Sequence, residues 1–257
     1  MHGDRGRGSG FFLTLEGPEG SGKSTQGQRL AGRLNAAGYR CVLTREPGGT
    51  RMGESVRDIL LHQHSPVPAA DALLFNAARA QLAAEVIEPA LARGEIVICD
   101  RFGDSTLAYQ GYGAGQPLDG LRRLAQFAVG DLAPDLTILI DLPVDEGLRR
   151  KQGGDEITRF ELHVDLEFHE RVREGFLALA AAEPVRFVVL DGLMSPQSIE
   201  RSIFETVRAR LDVNGLTPQG GALPHGDLLP ASNLNASADG RMLDFSEPDG
   251  ASVRRNK

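Results

Sequence analysis

One nine-residue segment near the N-terminus constrains the fold more than any other part of the chain. Residues 17–25 read Gly-Pro-Glu-Gly-Ser-Gly-Lys-Ser-Thr and fit the phosphate-binding loop pattern G-x-x-x-x-G-K-[ST]. A mostly apolar run, 11–16, precedes the loop, and apolar residues at helical spacing follow it over 26–37. A strand, a glycine loop and a helix in this order aim a helix N-terminus at an anion. A chance glycine-rich turn is the alternative, and the agreement of motif and context disfavours it.

The positions within this loop answer the physical demands of a bound polyphosphate. Its three glycines allow positive φ and bring backbone N–H groups close to phosphate oxygens. Lys23 adds a mobile positive charge, and Ser24 adds a hydroxyl ligand for a phosphate-bound Mg²⁺. We therefore expect the whole loop to contact a triphosphate: Gly17, Pro18, Glu19, Gly20, Ser21, Gly22, Lys23, Ser24 and Thr25.

Composition excludes several classes of protein. The 257 residues carry a formal net charge of −7, which argues against a general nucleic-acid coat. No run reaches the roughly 18 apolar residues that a membrane span needs, and residues 1–10 lack the apolar core of a signal peptide. Cys41 and Cys99 each lie in a short apolar run, so we interpret them as buried free thiols of a cytoplasmic protein, a disulfide being the weaker alternative.

Strand-like and helix-like patterns alternate along the chain. Further apolar runs occupy 39–44, 95–99, 136–140 and 185–190, and helical patterns occupy 50–62, 70–93, 119–129, 144–151, 160–182 and 196–211. This alternation predicts an α/β fold with a parallel sheet, helices on both faces, and ligands at the carboxyl ends of the strands. We expect a flexible extension over 1–10, one domain over 11–211, and a disordered tail over 212–257. Docking of segment 242–245 on the body is the alternative for the tail.

Polar motifs follow two of the predicted strands. Arg45 follows the second strand in a Pro-Gly-Gly turn, where a guanidinium can grip a phosphate or make a plain surface salt bridge. Asp100 and Arg101 end the third strand. Asp100 can hold a Mg²⁺-bound water or accept a proton, and Arg101 can clamp a second phosphate. The alternative is a helix N-cap formed by Asp100 or Asp104.

Two further segments carry weaker signals. Phe75 and Arg79 are four residues apart on one helix, so they share a face that can stack on a base and bind its edge; a core ring beside a surface charge is the alternative. Residues 149–159 place basic residues around a glycine pair, which suits a mobile lid or a solvated charged loop. The histidines are scattered and show no zinc-ligand spacing.

Taken in order, these motifs closely resemble those of the bacterial thymidylate kinases over about residues 11–211. The resemblance rests on the phosphate loop, Thr-Arg-Glu-Pro-Gly-Gly, Phe-x-Ala-Ala-Arg, Asp-Arg-Phe, Ser-Thr-x-Ala-Tyr-Gln-Gly and a basic lid. It implies the P-loop kinase fold with a five-stranded parallel sheet and a short lid. It also implies transfer of the γ-phosphoryl group of ATP to dTMP, giving dTDP and ADP for dTTP synthesis, with Mg²⁺ as cofactor, in a homodimer.

The same resemblance assigns roles to individual residues. Lys23 and Mg²⁺, held by Ser24 and Asp100, would stabilise the phosphates. Arg45 and Arg101 would clamp the dTMP phosphate. Phe75 would stack on thymine, and Arg79 would hydrogen-bond its edge. Three groups complete the implied site: Glu19 near the sugar 3′-hydroxyl; Ser105, Tyr109 and Gln110 around base and sugar; and the lid residues Arg150 and Arg159.

The chain departs from the family pattern at the lid and in the loop. One subgroup carries a basic residue at the position of Gly20, and the bacterial subgroup compensates with lid arginines. Here the lid centre is Gln-Gly-Gly over 152–154, which leaves Arg150, Lys151 and Arg159 as candidates. Two other functions stay open from the residues: a P-loop kinase for a different base, and a P-loop switch protein. The arginine clamp favours a monophosphate acceptor, and no Asn-Lys-x-Asp of a GTPase is present.

Overall fold

A five-stranded parallel sheet forms the centre of the molecule. The computed structural model describes residues 10–62, 67–151 and 166–218. The strand order is β2-β3-β1-β4-β5, and every pairing is parallel, which confirms the predicted sheet. Because β1 lies between β3 and β4, the loop after β1 opens at the middle of the carboxyl edge. The strands are β1 (Phe11–Glu16), β2 (Cys41–Arg45), β3 (Ile96–Asp100), β4 (Leu136–Asp141) and β5 (Phe187–Asp191).

Helices connect the strands and cover the sheet. Within the described residues they are α1 (Lys23–Ala36), α2 (Arg51–His62), α3 (Pro68–Leu82), α4 (Glu88–Ala92), α5 (Gly103–Thr106), α6 (Leu118–Val129), α7 (Val144–Lys151), α8 (Leu166–Ala182) and α9 (Pro196–Val213). A π-helical turn, Ala83–Ile87, joins α3 to α4, so the predicted helix over 70–93 exists but changes pitch in its middle. A second π-helical segment, Leu107–Gly113, continues α5.

Both faces of the three central strands, β3, β1 and β4, are buried, as their uninterrupted apolar runs require, whereas the edge strands β2 and β5 are only partly covered. Phe11, Leu13 and Leu15 of β1 pack in one cluster with residues of α1 and α9. Phe12, on the opposite face, packs with Leu82 and with the end of α4. These two layers fix the direction in which β1 delivers the phosphate loop.

The helix over 103–113 is absent from the sequence prediction. Gly103, Gly111 and Gly113 favour a loop when the sequence is read alone. In the structure a Cβ on Gly113 would come 2.7 Å from both Phe168 and Val172, so this glycine permits close packing on α8. The tertiary contact therefore overrides local propensity.

Element ends differ modestly from the predictions. The strand predicted over 185–190 begins at Phe187, since Val185 is exposed before the sheet edge. Helix α9 continues past residue 211 to Val213, and Leu216 packs against the core and donates its N–H to the Leu211 carbonyl at 3.0 Å. The predicted domain end at 211 is thus too early, because the body continues to at least 216. Residues 1–9 and 219–257, including the predicted docking segment 242–245, lie outside the described residues.

Two smaller expectations are tested by the described residues. Both thiols are free, as predicted, and Cys99 is buried, but Cys41 on the edge strand β2 is only half-buried, so its predicted burial is wrong. None of the helices in the described part of the chain is long and apolar enough to cross a membrane.

Candidate active site

The phosphate loop adopts the backbone that its glycines permit. Gly17, Gly20 and Gly22 have φ of 148°, 70° and 89°, which L side chains rarely adopt. A Cβ on Gly17 would also come 2.5 Å from the Ile140 carbonyl oxygen. Helix α1 begins at the next residue, Lys23, so its first N–H groups face the space above the loop.

Lys23 is folded into the loop. Its Nζ donates to the carbonyl oxygens of Gly17 at 3.0 Å and Pro18 at 2.9 Å, and to Ser21 Oγ at 3.1 Å. Burial, followed by repulsion from Arg101, lowers the pKa of Lys23 to about 8. Neutral oxygens are weaker partners for an ammonium than phosphate oxygens, so this cation is well placed to bind an incoming phosphate.

Ser24 and Asp100 meet at the mouth of the loop. The Ser24 hydroxyl donates to Asp100 Oδ2, which joins the start of α1 to the end of β3. A hydroxyl and a carboxylate are hard oxygen ligands, and Mg²⁺ usually takes one or two protein ligands beside phosphate oxygens and water. This donor set therefore fits Mg²⁺. A cage of three or more His, Cys, Asp or Glu side chains is absent from the described residues.

Arg101 has an unusual backbone and a fixed side chain. Within the described ranges it is the one non-glycine residue with positive φ, at 69°. Its Nη1 donates to the Gly17 carbonyl at 3.3 Å and to Ser105 Oγ at 3.1 Å, and its Nη2 donates to Glu19 Oε1 at 2.8 Å and Tyr109 Oη at 3.1 Å. The turn after β3 thus brings the guanidinium back over the phosphate loop.

Glu19 is held ionised beside this arginine. Burial would raise the pKa of Glu19, but Arg101, Lys23 and Lys151 lower it to about 2. Its Oε1 also accepts from Tyr109 Oη at 2.8 Å. An ionised carboxylate only accepts hydrogen bonds, so Glu19 suits a ligand hydroxyl.

A second carboxyl, Glu16, supports the same turn and has no counterpart in the sequence predictions. It ends β1 and is fully buried, where Oε1 accepts from the Phe102 N–H at 2.8 Å and Oε2 accepts from Ser105 Oγ at 2.6 Å. Burial and then repulsion from Asp104 raise the pKa of Glu16 to about 8. The one available signal was an acid at the end of an otherwise apolar strand.

Asp104 itself belongs neither to the cavity nor to a helix cap. The N-cap of α5 is Phe102, so the N-cap interpretation is wrong for both Asp100 and Asp104. Asp104 makes a bidentate ion pair with Arg186, with N–O distances of 2.6 and 2.9 Å. Its role is to fasten α5 to the segment before β5.

Arg79 lies at the opposite end of the site in a dry network. Its Nε donates to both oxygens of Glu46 at 3.1 and 2.9 Å, and its Nη2 donates to Glu46 Oε2 at 2.8 Å. Nη2 also donates to Thr106 Oγ1 at 2.8 Å and the Phe102 carbonyl at 3.2 Å, and Nη1 donates to Asn76 Oδ1 at 3.0 Å. The interpretation of Arg79 as a surface charge is therefore wrong.

Arg45 and Arg150 are held more loosely. Arg45 Nη2 pairs with Glu54 Oε2 at 3.1 Å, and Glu54 Oε1 accepts the Gly49 N–H at 2.9 Å. Arg150 Nε donates to Glu146 Oε1 at 2.7 Å, and its Nη1 donates to the Gly192 carbonyl at 3.2 Å. Arg159, like the rest of the predicted lid beyond 151, lies outside the described residues.

One cavity of about 360 Å³ unites most of the predicted residues. Of the predicted loop residues, Gly17, Pro18 and Ser21 do not line it, and their oxygen atoms accept hydrogen bonds from Lys23. The predicted residues that line the cavity are Glu19, Gly20, Gly22, Lys23, Ser24, Thr25, Arg45, Phe75, Arg79, Asp100, Arg101, Ser105, Tyr109, Gln110 and Arg150, together with the lid candidate Lys151.

The cavity also contains residues that the sequence reasoning did not assign. They are Glu46, Pro47, Arg57, Leu61, Phe102 and Thr106. Arg57 and Leu61 are four apart on α2, so helical spacing could have indicated one shared face. Glu46 and Thr106 belong to the motifs Thr-Arg-Glu-Pro-Gly-Gly and Ser-Thr-x-Ala-Tyr-Gln-Gly, but the sequence gave no signal for a separate role of either.

The strand order, the phosphate loop and the cavity together define a P-loop nucleoside monophosphate kinase. The family model described as thymidylate kinase matches residues 15–203. A thymidylate kinase of Synechococcus sp. (strain JA-3-3Ab) is 52% identical over 201 residues, which cover 78% of this chain and 97% of that relative. One of Deinococcus radiodurans is 50% identical over 202 residues, with coverage of 78% and 98%.

A solved structure extends this likeness to the fold. The crystal structure of thymidylate kinase from Ehrlichia chaffeensis is 36% identical, has a TM-score of 0.63, and is matched over 77% of this chain and 98% of that chain. The chain belongs to the thymidylate kinase family.

Proposed function

We propose that this chain transfers the γ-phosphoryl group of ATP to dTMP, giving dTDP and ADP. The observation that carries the proposal is the joining, in one cavity, of a phosphate loop, two arginines suited to a second phosphate, and a ring with a guanidinium suited to a base. A nucleoside acceptor would need no such clamp.

On the donor side, the loop N–H groups and Lys23 bind the β- and γ-phosphates of ATP. Ser24 and Asp100 are the residues that would hold Mg²⁺, whose charge neutralises phosphate oxygens. Arg150 and Lys151 both line the same cavity from α7, and of these two we expect Arg150 to reach the transferred group. Arg159 remains a proposed partner in that role.

On the acceptor side, Arg101 and Arg45 clamp the dTMP phosphate. Phe75 stacks on thymine and Arg79 hydrogen-bonds its edge. Glu19 accepts the sugar 3′-hydroxyl. Ser105, Tyr109 and Gln110 complete the walls.

Positioning and charge stabilisation account for the chemistry. The transition state of phosphoryl transfer is loose, so an enzyme mainly aligns donor and acceptor and neutralises charge on the equatorial oxygens. Lys23 and Arg101 both line the cavity beside the loop, where they can share that charge. Neither residue has to exchange a proton with the substrate.

Assembly and location complete the proposal. We expect a homodimer in which α3 and α6 take part, because Leu73 and Phe127 on these helices are 58% and 90% exposed. We expect a cytoplasmic location, which the free thiols of Cys41 and Cys99 support. We expect residues 149–159 to act as the lid and the chain beyond the domain to be dispensable for turnover.

An acceptor screen tests the proposal. Purified protein is incubated with ATP, Mg²⁺ and each nucleoside monophosphate in turn, and ADP formation is followed. We expect dTMP to give the highest kcat/KM. Turnover with dTMP no greater than turnover without an acceptor would contradict the proposal, and a strong preference for another monophosphate would favour a P-loop kinase for a different base.

A further inference from the structure

We propose that Glu46 is a positioning residue that sets the base selectivity of this site by fixing the orientation of Arg79. The inference rests on the proposed function, in which Arg79 hydrogen-bonds the edge of the base. That contact favours pyrimidines with a 4-oxo group over those with a 4-amino group, and the inference adds that Glu46 enforces this choice.

Glu46 grips one side of the Arg79 guanidinium. Both carboxylate oxygens accept from Nε, and Oε2 also accepts from Nη2, at 2.8 to 3.1 Å. The two side chains are 1% and 4% exposed, so water hardly competes for these bonds. The Glu46 N–H donates to the Asp100 carbonyl at 2.9 Å, which anchors the carboxylate to the end of β3.

Three other groups accept hydrogen bonds from the two terminal nitrogens of Arg79. Thr106 Oγ1 and the Phe102 carbonyl accept from Nη2, and Asn76 Oδ1 accepts from Nη1. The Asn76 amide cannot turn freely, because its Nδ2 donates to the Ala72 carbonyl at 2.8 Å. A guanidinium carries five N–H groups, and with these partners among the described residues one hydrogen of Nη1 remains for a ligand.

A guanidinium fixed in this way can only donate. It has no acceptor atom and does not deprotonate in proteins, so a base must present an acceptor to the remaining N–H. The 4-oxo group of thymine or uracil is such an acceptor. The 4-amino group of cytosine is a donor and would leave two donors facing each other in a dry site, which carries a heavy penalty.

Glu46 is the partner whose loss would free the arginine. It is the carboxylate of the network, and the bidentate grip sets the plane of the guanidinium as well as its position. Without it, Arg79 could turn towards Thr106 and Asn76, and its free N–H would no longer meet the base in one direction.

Kinetics of Glu46→Gln with dTMP, dUMP, dCMP and ATP test the inference. We expect the KM for dTMP to rise about 10-fold to 100-fold and the KM for ATP to change less than about 3-fold. We expect the dTMP/dCMP ratio of kcat/KM to fall about 10-fold or more. The dTMP/dUMP ratio should stay unchanged, because both bases present the same 4-oxo group.

Asp141→Asn is the matched control. Asp141 also holds Arg173 in a bidentate pair, with bonds of 2.7 and 2.8 Å, although this pair is more exposed, at 21% and 29%, and neither residue lines the cavity. Its loss should leave the dTMP/dCMP ratio unchanged. A ratio that falls equally in both variants would overturn the inference, since it would reflect a general loss of packing.

The second variant, Thr106→Val, keeps the test decisive if Glu46→Gln does not fold. It removes one acceptor of Nη2 without leaving a buried charge unpaired, and it should lower the dTMP/dCMP ratio in the same direction by about 3-fold to 10-fold. If Glu46→Gln folds, an unchanged dTMP/dCMP ratio in that variant overturns the inference. If Glu46→Gln does not fold, an unchanged ratio in Thr106→Val overturns it. Failure of the unmodified enzyme to use dTMP would instead contradict the proposed function.

Discussion

The two ends of the cavity use arginine–carboxylate pairs in opposite ways. At the base end, the Arg79 and Glu46 side chains are 1% and 4% exposed. At the phosphate end, Arg101 and Glu19 are 17% and 18% exposed, and Arg45 and Glu54 are 33% and 30% exposed. The same chemical pair is therefore dry at the end that we propose to bind the base and wetter at the end that we propose to bind the phosphates.

The exposure of each pair decides whether its arginine can exchange its carboxylate partner for a ligand. A desolvated bidentate pair cannot exchange its partner cheaply, because either ion left alone in a low dielectric costs several kcal/mol. A half-exposed pair such as Arg45 and Glu54 contributes little, and Arg45 can exchange the carboxylate for a phosphate oxygen. The Arg79 pair is thus built as a fixed template, whereas the other end of the cavity keeps an exchangeable cation in Arg45.

The stability of alanine variants should separate the two ends most clearly. Arg79→Ala leaves Glu46 buried without its cation, so the free energy of unfolding should fall by about 3–5 kcal/mol. Arg45→Ala removes a half-exposed pair and should cost about 0–1 kcal/mol. Urea denaturation at constant pH measures both values. Equal losses would refute the contrast between the two ends.

Lys23 provides the next test, because it is buried like Arg79 but is held by neutral oxygens. Lys23→Ala should lower kcat by about 10²-fold to 10³-fold, the usual loss for one charge-stabilising donor. The melting temperature should shift by only a few degrees, since no carboxylate is left unpaired. Near-normal turnover in a folded variant would remove Lys23 from the phosphate-binding set.

The phosphate end could be predicted from sequence almost in full. Glycine spacing, the lysine and the strand-end acid are local patterns, and each imposes its geometry within a few residues. The positions of Lys23, Ser24 and Asp100 in the structure follow directly from that pattern. The parallel sheet was predictable for a similar reason, since uninterrupted apolar strands need cover on both faces.

The base end could be predicted only in part. Phe75 and Arg79 share a helix face, so their common location was visible, but the partners of Arg79 come from three separate segments. In the sequence, Glu46 belongs to a predicted turn. Thr106 lies in a helix that was not predicted, because the glycines of that segment favour a loop. Long-range pairing of this kind leaves no periodic signal in one sequence.

Glu16 and Glu19, three residues apart, should give the free energy of unfolding opposite dependences on pH. The pKa of Glu16 is raised to about 8 from an ordinary 4.5, so the folded chain keeps the proton longer than the unfolded chain. The free energy of unfolding should therefore fall as pH rises from about 4.5 to 8, by at most about 1.4 kcal/mol per pH unit. Glu16→Gln should remove this slope in denaturation curves across that range.

Glu19 supplies the control with the opposite sign. Its pKa is lowered to about 2, so its contribution to stability is complete above about pH 4.5 and is lost as pH falls towards 2. Glu19→Gln should flatten the acid side and leave the slope between pH 4.5 and 8 in place. A Glu16→Gln variant that keeps the wild-type slope there would show that other groups cause it.

The smallest expected effect is a salt dependence confined to the phosphate end. Salt shortens the Debye length from about 10 Å at 0.1 M, so it weakens half-exposed cations such as Arg45 more than buried ones. The KM for dTMP should rise about 2-fold to 5-fold between low and high salt, and by less in Arg45→Ala. Thymidine, which lacks the phosphate, reports the base end alone when used as a competitive inhibitor. The inhibition constant of thymidine should hardly change with salt, because Arg79 is buried and dissolved ions do not reach it. A rise as large as the rise in the KM for dTMP would mean that water and ions reach both ends of the cavity alike.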